Sequence, residues 1–415
     1  MKRKQQRPPR KKACTSCTRS KVRCSLERPV CSRCSSLGRV CEYTTPSSIS
    51  ESTDVDSSFI TSNIPSPPVD PSLDTASFIL TSPGTGTATL PTPSRTRELD
   101  RNEPEPEPEL ELDFTNTDLV PNNAADDIRD RWLRPYILPP LGGEEVPKLY
   151  QPFTLQYISR VLSSYPRRMV RDGDIPPIIH HTQVSKQGTP LALANCFTLV
   201  RMWMQAAPGS EAIVVHTVQN EMDRLAAEDP NLPDITHLST FQAYLIYSLL
   251  IYFSSPPAGQ TQTLVTDKTM ITLMELAFRT ARHGLLSRAE LSRSKPTWES
   301  WIMASTKRRA IYVMYLFSGL YNAEHSLPNF VAEELRGVFL PEGRAVWEAA
   351  SREVWAREYD KYLNEWEDGM MEISELWRSG ETGSSGRRGR VERWVACVDE
   401  FGMFLFSVCV HLHGC

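Results

Sequence analysis

The stretch "CTSCTRSKVRCSLERPVCSRCSSLGRVC", Cys14 to Cys41, gathers six of the ten cysteines of this 415-residue chain. The spacing runs Cys-x2-Cys-x6-Cys through Cys14, Cys17 and Cys24, and again through Cys31, Cys34 and Cys41. In a small exported domain, six cysteines would read as a disulfide framework. The N-terminal run "MKRKQQRPPRKKA" lacks the apolar core of a signal peptide, so the thiols are expected to stay reduced and to bind metal. Structural zinc takes four ligands in a tetrahedron. One ion would leave two of the six sulfurs idle. Two ions need eight bonds, and six sulfurs supply them only if two thiolates each serve both metals. No histidine occurs before His180, so mixed Cys/His coordination within the stretch is excluded.

These residues resemble the fungal Zn2Cys6 (Gal4-type) binuclear cluster. The likeness rests on the six cysteines, the basic run between Cys17 and Cys24, and Pro29 two residues before Cys31. The resemblance implies two zinc ions bridged by Cys14 and Cys31, with the other four cysteines as terminal ligands. "SKVRC" and "ERPVCSRC" look closest to regulators of secondary-metabolite gene clusters, such as the aflatoxin-pathway activator. The function implied is a sequence-specific DNA-binding transcription factor of RNA polymerase II genes in a fungal nucleus.

Charge agrees with a polyanionic partner. Thirteen Lys and Arg stand against Glu27 and Glu42 in residues 1–45, while the whole chain carries −4. The residues after Cys17 are Thr18, Arg19, Ser20, Lys21, Val22 and Arg23, long enough for about one and a half helical turns. Arg19 and Arg23 share a face as i,i+4 neighbours. The corresponding run in the second half, Ser35 to Val40, is far less basic, so the first half is the expected reader. By resemblance, Lys21 contacts a CGG- or TCG-type half-site in the major groove, and lysine to guanine O6/N7 is a standard pairing. Thr18 departs from the family pattern, in which a basic residue is usual. The arm "KRKQQRPPRKK" in residues 1–13 suits nuclear import or phosphate contact.

Residues 42–125 are expected to form a disordered linker, rich in Ser, Thr and Pro and lacking the heptads of a dimerising coiled coil. A homodimer would therefore use the C-terminal domain or some other contact, and binding as a monomer stays open. At the linker's end, "ELDRNEPEPEPELELDF" (residues 98–114) mixes acids with Leu110, Leu112 and Phe114. It reads either as an activation segment for coactivators or as a solvated spacer.

From residue 126 onward the composition supports a large core, and the periodicity is helical. In "TMITLMELAFRTARHGLL", Met270, Leu273, Met274, Ala277, Phe278 and Ala281 fall on one face. Further helices are expected over 189–205, 211–228, 237–254, 299–320, 345–377 and 391–412. The fold class is thus a small metal-stabilised module of two short helix–loop repeats, a linker, and an all-α regulatory domain (126–415). "FQAYLIYSLLIYFSS" (241–255) is too short to span a bilayer, so no membrane partner is expected. "FQAYLIYSLLIYF", "WESWIMASTKRRAIYVMYLF" and "EYDKYLNEW" also look like the regulatory domain of fungal zinc-cluster factors. Relatives often carry an acid before the basic pair; here Ser305 precedes Lys307, Arg308 and Arg309, so an internal salt bridge is expected to be missing.

No nucleophile elbow, P-loop, dinucleotide fingerprint or HExxH occurs, which argues against an enzyme. His180–His181 and the group Cys409, His411, His413, Cys415 read as structural rather than as second metal sites. Cys196 and Cys397 read as inert core thiols. The alternative reading is a non-catalytic scaffold whose zinc module binds a partner protein or RNA.

Overall fold

The computed structural model describes residues 13, 14, 17, 24–26, 31–36, 41, 112–137, 147–185, 188–254 and 264–414. The chain divides into two compact units, Met1–Leu99 and Asp100–Cys415. In the first, the described residues are the six cysteines and their neighbours, with one short helix, α1 (Ser32–Ser36). Leu26 turns the chain after Cys24 with φ of 62°, the left-handed region that non-glycine residues seldom occupy.

The second unit is helical, and no β-strand occurs among its described residues; four isolated bridges take the place of a sheet. Its helices are α2 (Ala125–Asp130), α3 (Pro152–Leu162), α4 (Ser164–Arg168), α5 (Leu191–Met204), α6 (Glu211–Ala226) and α7 (Asp234–Tyr252). Then come α8 (Asp267–Ala281), α9 (Arg288–Leu291), α10 (Trp298–Glu324), α11 (Arg344–Trp347), α12 (Arg352–Glu365), α13 (Ser385–Cys397) and α14 (Glu400–His413). Two helices have no polar face. Every residue from His237 to Ile251 in α7, and from Ser300 to Met314 in α10, is buried, so both run through the core with others packed around them. Helix α10 touches α3, α7, α8 and α12. By contrast α8 is amphipathic, burying Met270, Leu273, Met274, Ala277 and Ala281 as their period requires. No helix among the described residues is long and apolar enough to cross a membrane.

Three expectations are corrected here. The helix expected over 345–377 is broken: α11 ends at Trp347, and Ser351 restarts the chain by accepting the Val354 amide hydrogen on its side chain. After α12 the chain turns at Gly369, whose φ is 100°. The helix expected over 391–412 is likewise two, because Asp399 caps α14 by accepting from the Gly402 amide at 2.9 Å. Finally, residues 112–125 of the presumed linker are tied to the helical unit. Asp118 N donates to Ser300 Oγ at 3.1 Å, and Val120 N to the Leu286 carbonyl at 2.9 Å. Gly284, at φ 119°, lets Val120 pass where a side chain would collide. Leu112 and Phe114 pack against the core, so these two side chains are already engaged. Linker residues 42–111 lie outside the described residues.

The missing salt bridge is not missing. Lys307, Arg308 and Arg309 are all fully buried, and each finds its acid on a different element. Consecutive helical residues point about 100° apart, so three cations in a row cannot share one partner. Lys307 Nζ lies 2.6 Å from Asp234, and Arg309 Nη1 lies 2.6 Å from Asp399. Arg308 pairs with both Glu290, at 2.9 Å, and Glu342. Ser305 donates to Glu342 at 2.7 Å. The Arg309 guanidinium also lies 3.7 Å from the Trp347 ring centroid.

Candidate metal centre

The six cysteines come together in the first unit. Cys14, Cys17, Cys31 and Cys34 are buried, and Cys24 and Cys41 partly so. Their sulfurs form two groups of four, Cys14–Cys17–Cys24–Cys31 and Cys14–Cys31–Cys34–Cys41, each with all ligand atoms within 4.8 Å. Cys14 and Cys31 belong to both, as the resemblance implied.

The sulfur separations identify the bond type. Cys14 and Cys31 lie 3.8 Å apart, as do the pairs Cys14–Cys34, Cys17–Cys31 and Cys14–Cys24. A disulfide requires about 2.05 Å, so none of these pairs is bonded. A tetrahedron with zinc–sulfur bonds of about 2.3 Å has edges of about 3.8 Å. The donor set and its spacing therefore fit zinc.

Backbone hydrogens tune these ligands. Cys34 N donates to Cys31 Sγ at 3.4 Å, and Cys31 N donates to Cys41 Sγ at 3.3 Å. Such donors orient and stabilise bound thiolates. The Cys34 amide is the main cause that lowers the Cys31 thiol to about 6. At Cys41 the Cys31 amide works the same way, yet burial and the neighbouring thiols prevail and push it up to about 12. Burial, then the other thiols, push Cys17 up as well. Six sulfurs this close resist ionising together, and two divalent cations relieve that crowding. The sequence carried no signal for these amide contacts.

The expected DNA-contacting residues Thr18, Arg19, Ser20, Lys21 and Arg23 lie outside the described residues, as do residues 1–12 of the basic arm. The remaining candidates have structural roles. His180 is buried: its Nε2 lies 3.2 Å from the Trp347 carbonyl and its Nδ1 accepts from the Thr182 amide. His181 Nε2 lies 3.0 Å from the Ala349 carbonyl. Cys196 is fully buried and Cys397 half-buried; burial pushes the Cys397 thiol up to about 11. Among the described residues, the two cysteine quartets are the metal-binding groups found, and Cys409, His411 and His413 join none.

Comparison with known proteins agrees with this geometry. Residues 12–50 match the fungal Zn(2)-Cys(6) binuclear cluster domain. The chain is 61% identical over 31 residues to a geodin cluster transcription factor of Aspergillus terreus (strain NIH 2624 / FGSC A1156). That alignment covers 8% of this chain and 14% of the relative, so the likeness concerns a short segment of each. No solved structure matches the chain. The N-terminal segment matches the fungal Zn(2)-Cys(6) binuclear cluster domain, which binds two zinc ions, and its six cysteines are positioned to hold metal.

Proposed function

We propose that this chain is a sequence-specific DNA-binding transcription regulator of RNA polymerase II genes in a fungal nucleus, acting on a secondary-metabolite gene cluster. The observation that carries the reading is the pair of sulfur quartets sharing Cys14 and Cys31. The cluster holds the run Thr18 to Arg23 between two ligands, and that run supplies the reader. Lys21 contacts guanine in a CGG- or TCG-type half-site; Arg19, Arg23, Thr18 and Ser20 meet the flanking phosphates, together with the basic arm. The name of the relative, a cluster transcription factor, supports the same assignment. The helical unit is the regulatory part and has no catalytic role. Any homodimer forms through it, and residues 98–111 present the acidic surface to coactivators.

A mobility-shift assay on the zinc-loaded full chain tests this. Binding to a duplex carrying the half-site should exceed binding to a scrambled duplex. Lys21→Ala should cost about 1–3 kcal/mol, roughly one to two powers of ten in affinity, at that sequence only. The logarithm of affinity should fall linearly and steeply with the logarithm of salt concentration. Equal binding to both duplexes, unchanged by Lys21→Ala, would sink the proposal.

A further inference from the structure

The helical unit contains a cleft of two lobes, of about 70 and about 190 Å3. Both are bordered by Arg131, Ser318 and Phe330. The first lobe lies between the C-terminal half of α10 and α14, with Lys148 and Tyr150 on its wall. The second is walled by Trp132, Pro135, Met270, Met274 and Pro328.

The polar groups of the cleft are unequally satisfied. Arg131 is fixed, donating to Glu334 at 2.7 Å and to the Phe330 carbonyl at 2.9 Å. Lys148 is different: among the described residues no carboxylate lies within ion-pair distance of it and its ammonium has no hydrogen-bond partner, and burial lowers its pKa to about 8. The fully buried cations of α10 all have acids. Ser318 is 3% exposed, and neither its hydroxyl nor that of Tyr150 has a hydrogen-bond partner among the described residues. The Tyr150 hydroxyl reaches over Gly319, where a Cβ would come within 2.6 Å of its oxygen. His413, 8% exposed, stays neutral, its pKa brought to about 4 by burial and by Lys148.

A half-buried cation and two hydroxyls without a hydrogen-bond partner among the described residues converge on the first lobe, an arrangement that suits an anionic acceptor. The neighbouring lobe mixes apolar and aromatic side chains with Arg134, Asp267 and Asn322, and its volume exceeds the roughly 150 Å3 of a cavity that admits benzene. Ligand sites combine such a wall with a few convergent polar groups. We infer that this cleft binds a small aromatic carboxylate, whose carboxyl group accepts from Lys148, Tyr150 and Ser318 and whose ring lies against Met270, Met274 and Phe330. The inference does not depend on the DNA-reading assignment. It gives the helical unit a ligand through which an aromatic acid could bias the regulator.

The test is calorimetric titration of the zinc-loaded full chain with a naphthalene carboxylate and, in parallel, with its neutral carboxamide. One saturable site is expected for the acid, with the amide roughly tenfold weaker or worse, the size of a lost charge-assisted hydrogen bond. Lys148→Met should weaken the acid by a similar factor and leave the amide unchanged. Ser318→Leu, which fills the boundary between the lobes, should abolish both. Chelating the zinc should leave the binding intact. Absence of saturable binding, equal affinity for acid and amide, or acid binding indifferent to Lys148→Met would overturn the inference. The acid–amide comparison needs no variant, so it decides even if a substituted chain fails to fold.

Discussion

Cys14 and Cys31 each stand in two tetrahedra, and Cys17, Cys24, Cys34 and Cys41 in one. Loss of a shared sulfur therefore opens both metal sites, whereas loss of a terminal sulfur opens one. Native mass spectrometry of the N-terminal segment should show two zinc ions for the wild type. Cys14→Ala should retain neither ion tightly, and Cys24→Ala should keep the ion of the Cys31–Cys34–Cys41 side. Two ions retained by Cys14→Ala would contradict bridging. A second residue, His180, sets a pH response. Burial, then the neighbouring His181, hold its pKa well below the ordinary value, so it stays neutral in the folded chain. Below about pH 6.5 the unfolded chain binds a proton here that the folded chain does not, so stability falls as pH falls. One such imidazole contributes a slope of about 1.4 kcal/mol per pH unit. Urea denaturation from about pH 7 down to about pH 5 should show His180→Gln flatter than the wild type by that amount. Equal slopes would mean that His180 is protonated in the fold.

At the scale of the element, α10 places three adjacent cations in the core and sends them to acids on α7, on α9, in the 342 region and at the N-cap of α14. These contacts join segments far apart in sequence. They fix how the helices sit against one another, since a buried cation tolerates only the arrangement that brings its acid within reach. Arg308 carries most of this. Burial disfavours its charge, but Glu290 and Glu342 outweigh that penalty and raise its pKa. Arg308→Met would strand two buried carboxylates and should cost about 3–5 kcal/mol in denaturant unfolding. The triple replacement with Glu290→Gln and Glu342→Gln should recover much of that loss. A cost for Arg308→Met alone within the range of surface substitutions would show that the network contributes little.

At the scale of the whole molecule, the two units are held together by different physics. The cysteine unit is too small to bury a core of its own, so its fold and its metal are coupled. The helical unit owes its fold to burial along α7 and α10. A chelator should therefore release two zinc ions and abolish the proposed DNA binding while leaving the main thermal transition and nearly all the far-ultraviolet helical signal unchanged. Collapse of the helical signal on zinc removal would show that the second unit depends on the first.

The metal centre could be read from the sequence because its ligands are neighbours along the chain. Six cysteines in two equal spacings admit few coordination schemes. Long helices were legible for a related reason: the apolar period at Met270, Leu273, Met274 and Ala277 reports a face, and the run from Phe241, interrupted only by Gln242 and Ser248, reports complete burial. What escaped was decided by contacts across long stretches of chain. Ser351 and Asp399 start new helices inside stretches whose pattern reads as one. Leu112 and Phe114 look solvated among acids but have a helical surface to rest on. The acids that neutralise Lys307, Arg308 and Arg309 lie between 18 and 90 residues away. Periodicity records which side of a residue is buried; it holds no record of which distant partner meets a buried charge, and only the packed tertiary structure supplies that.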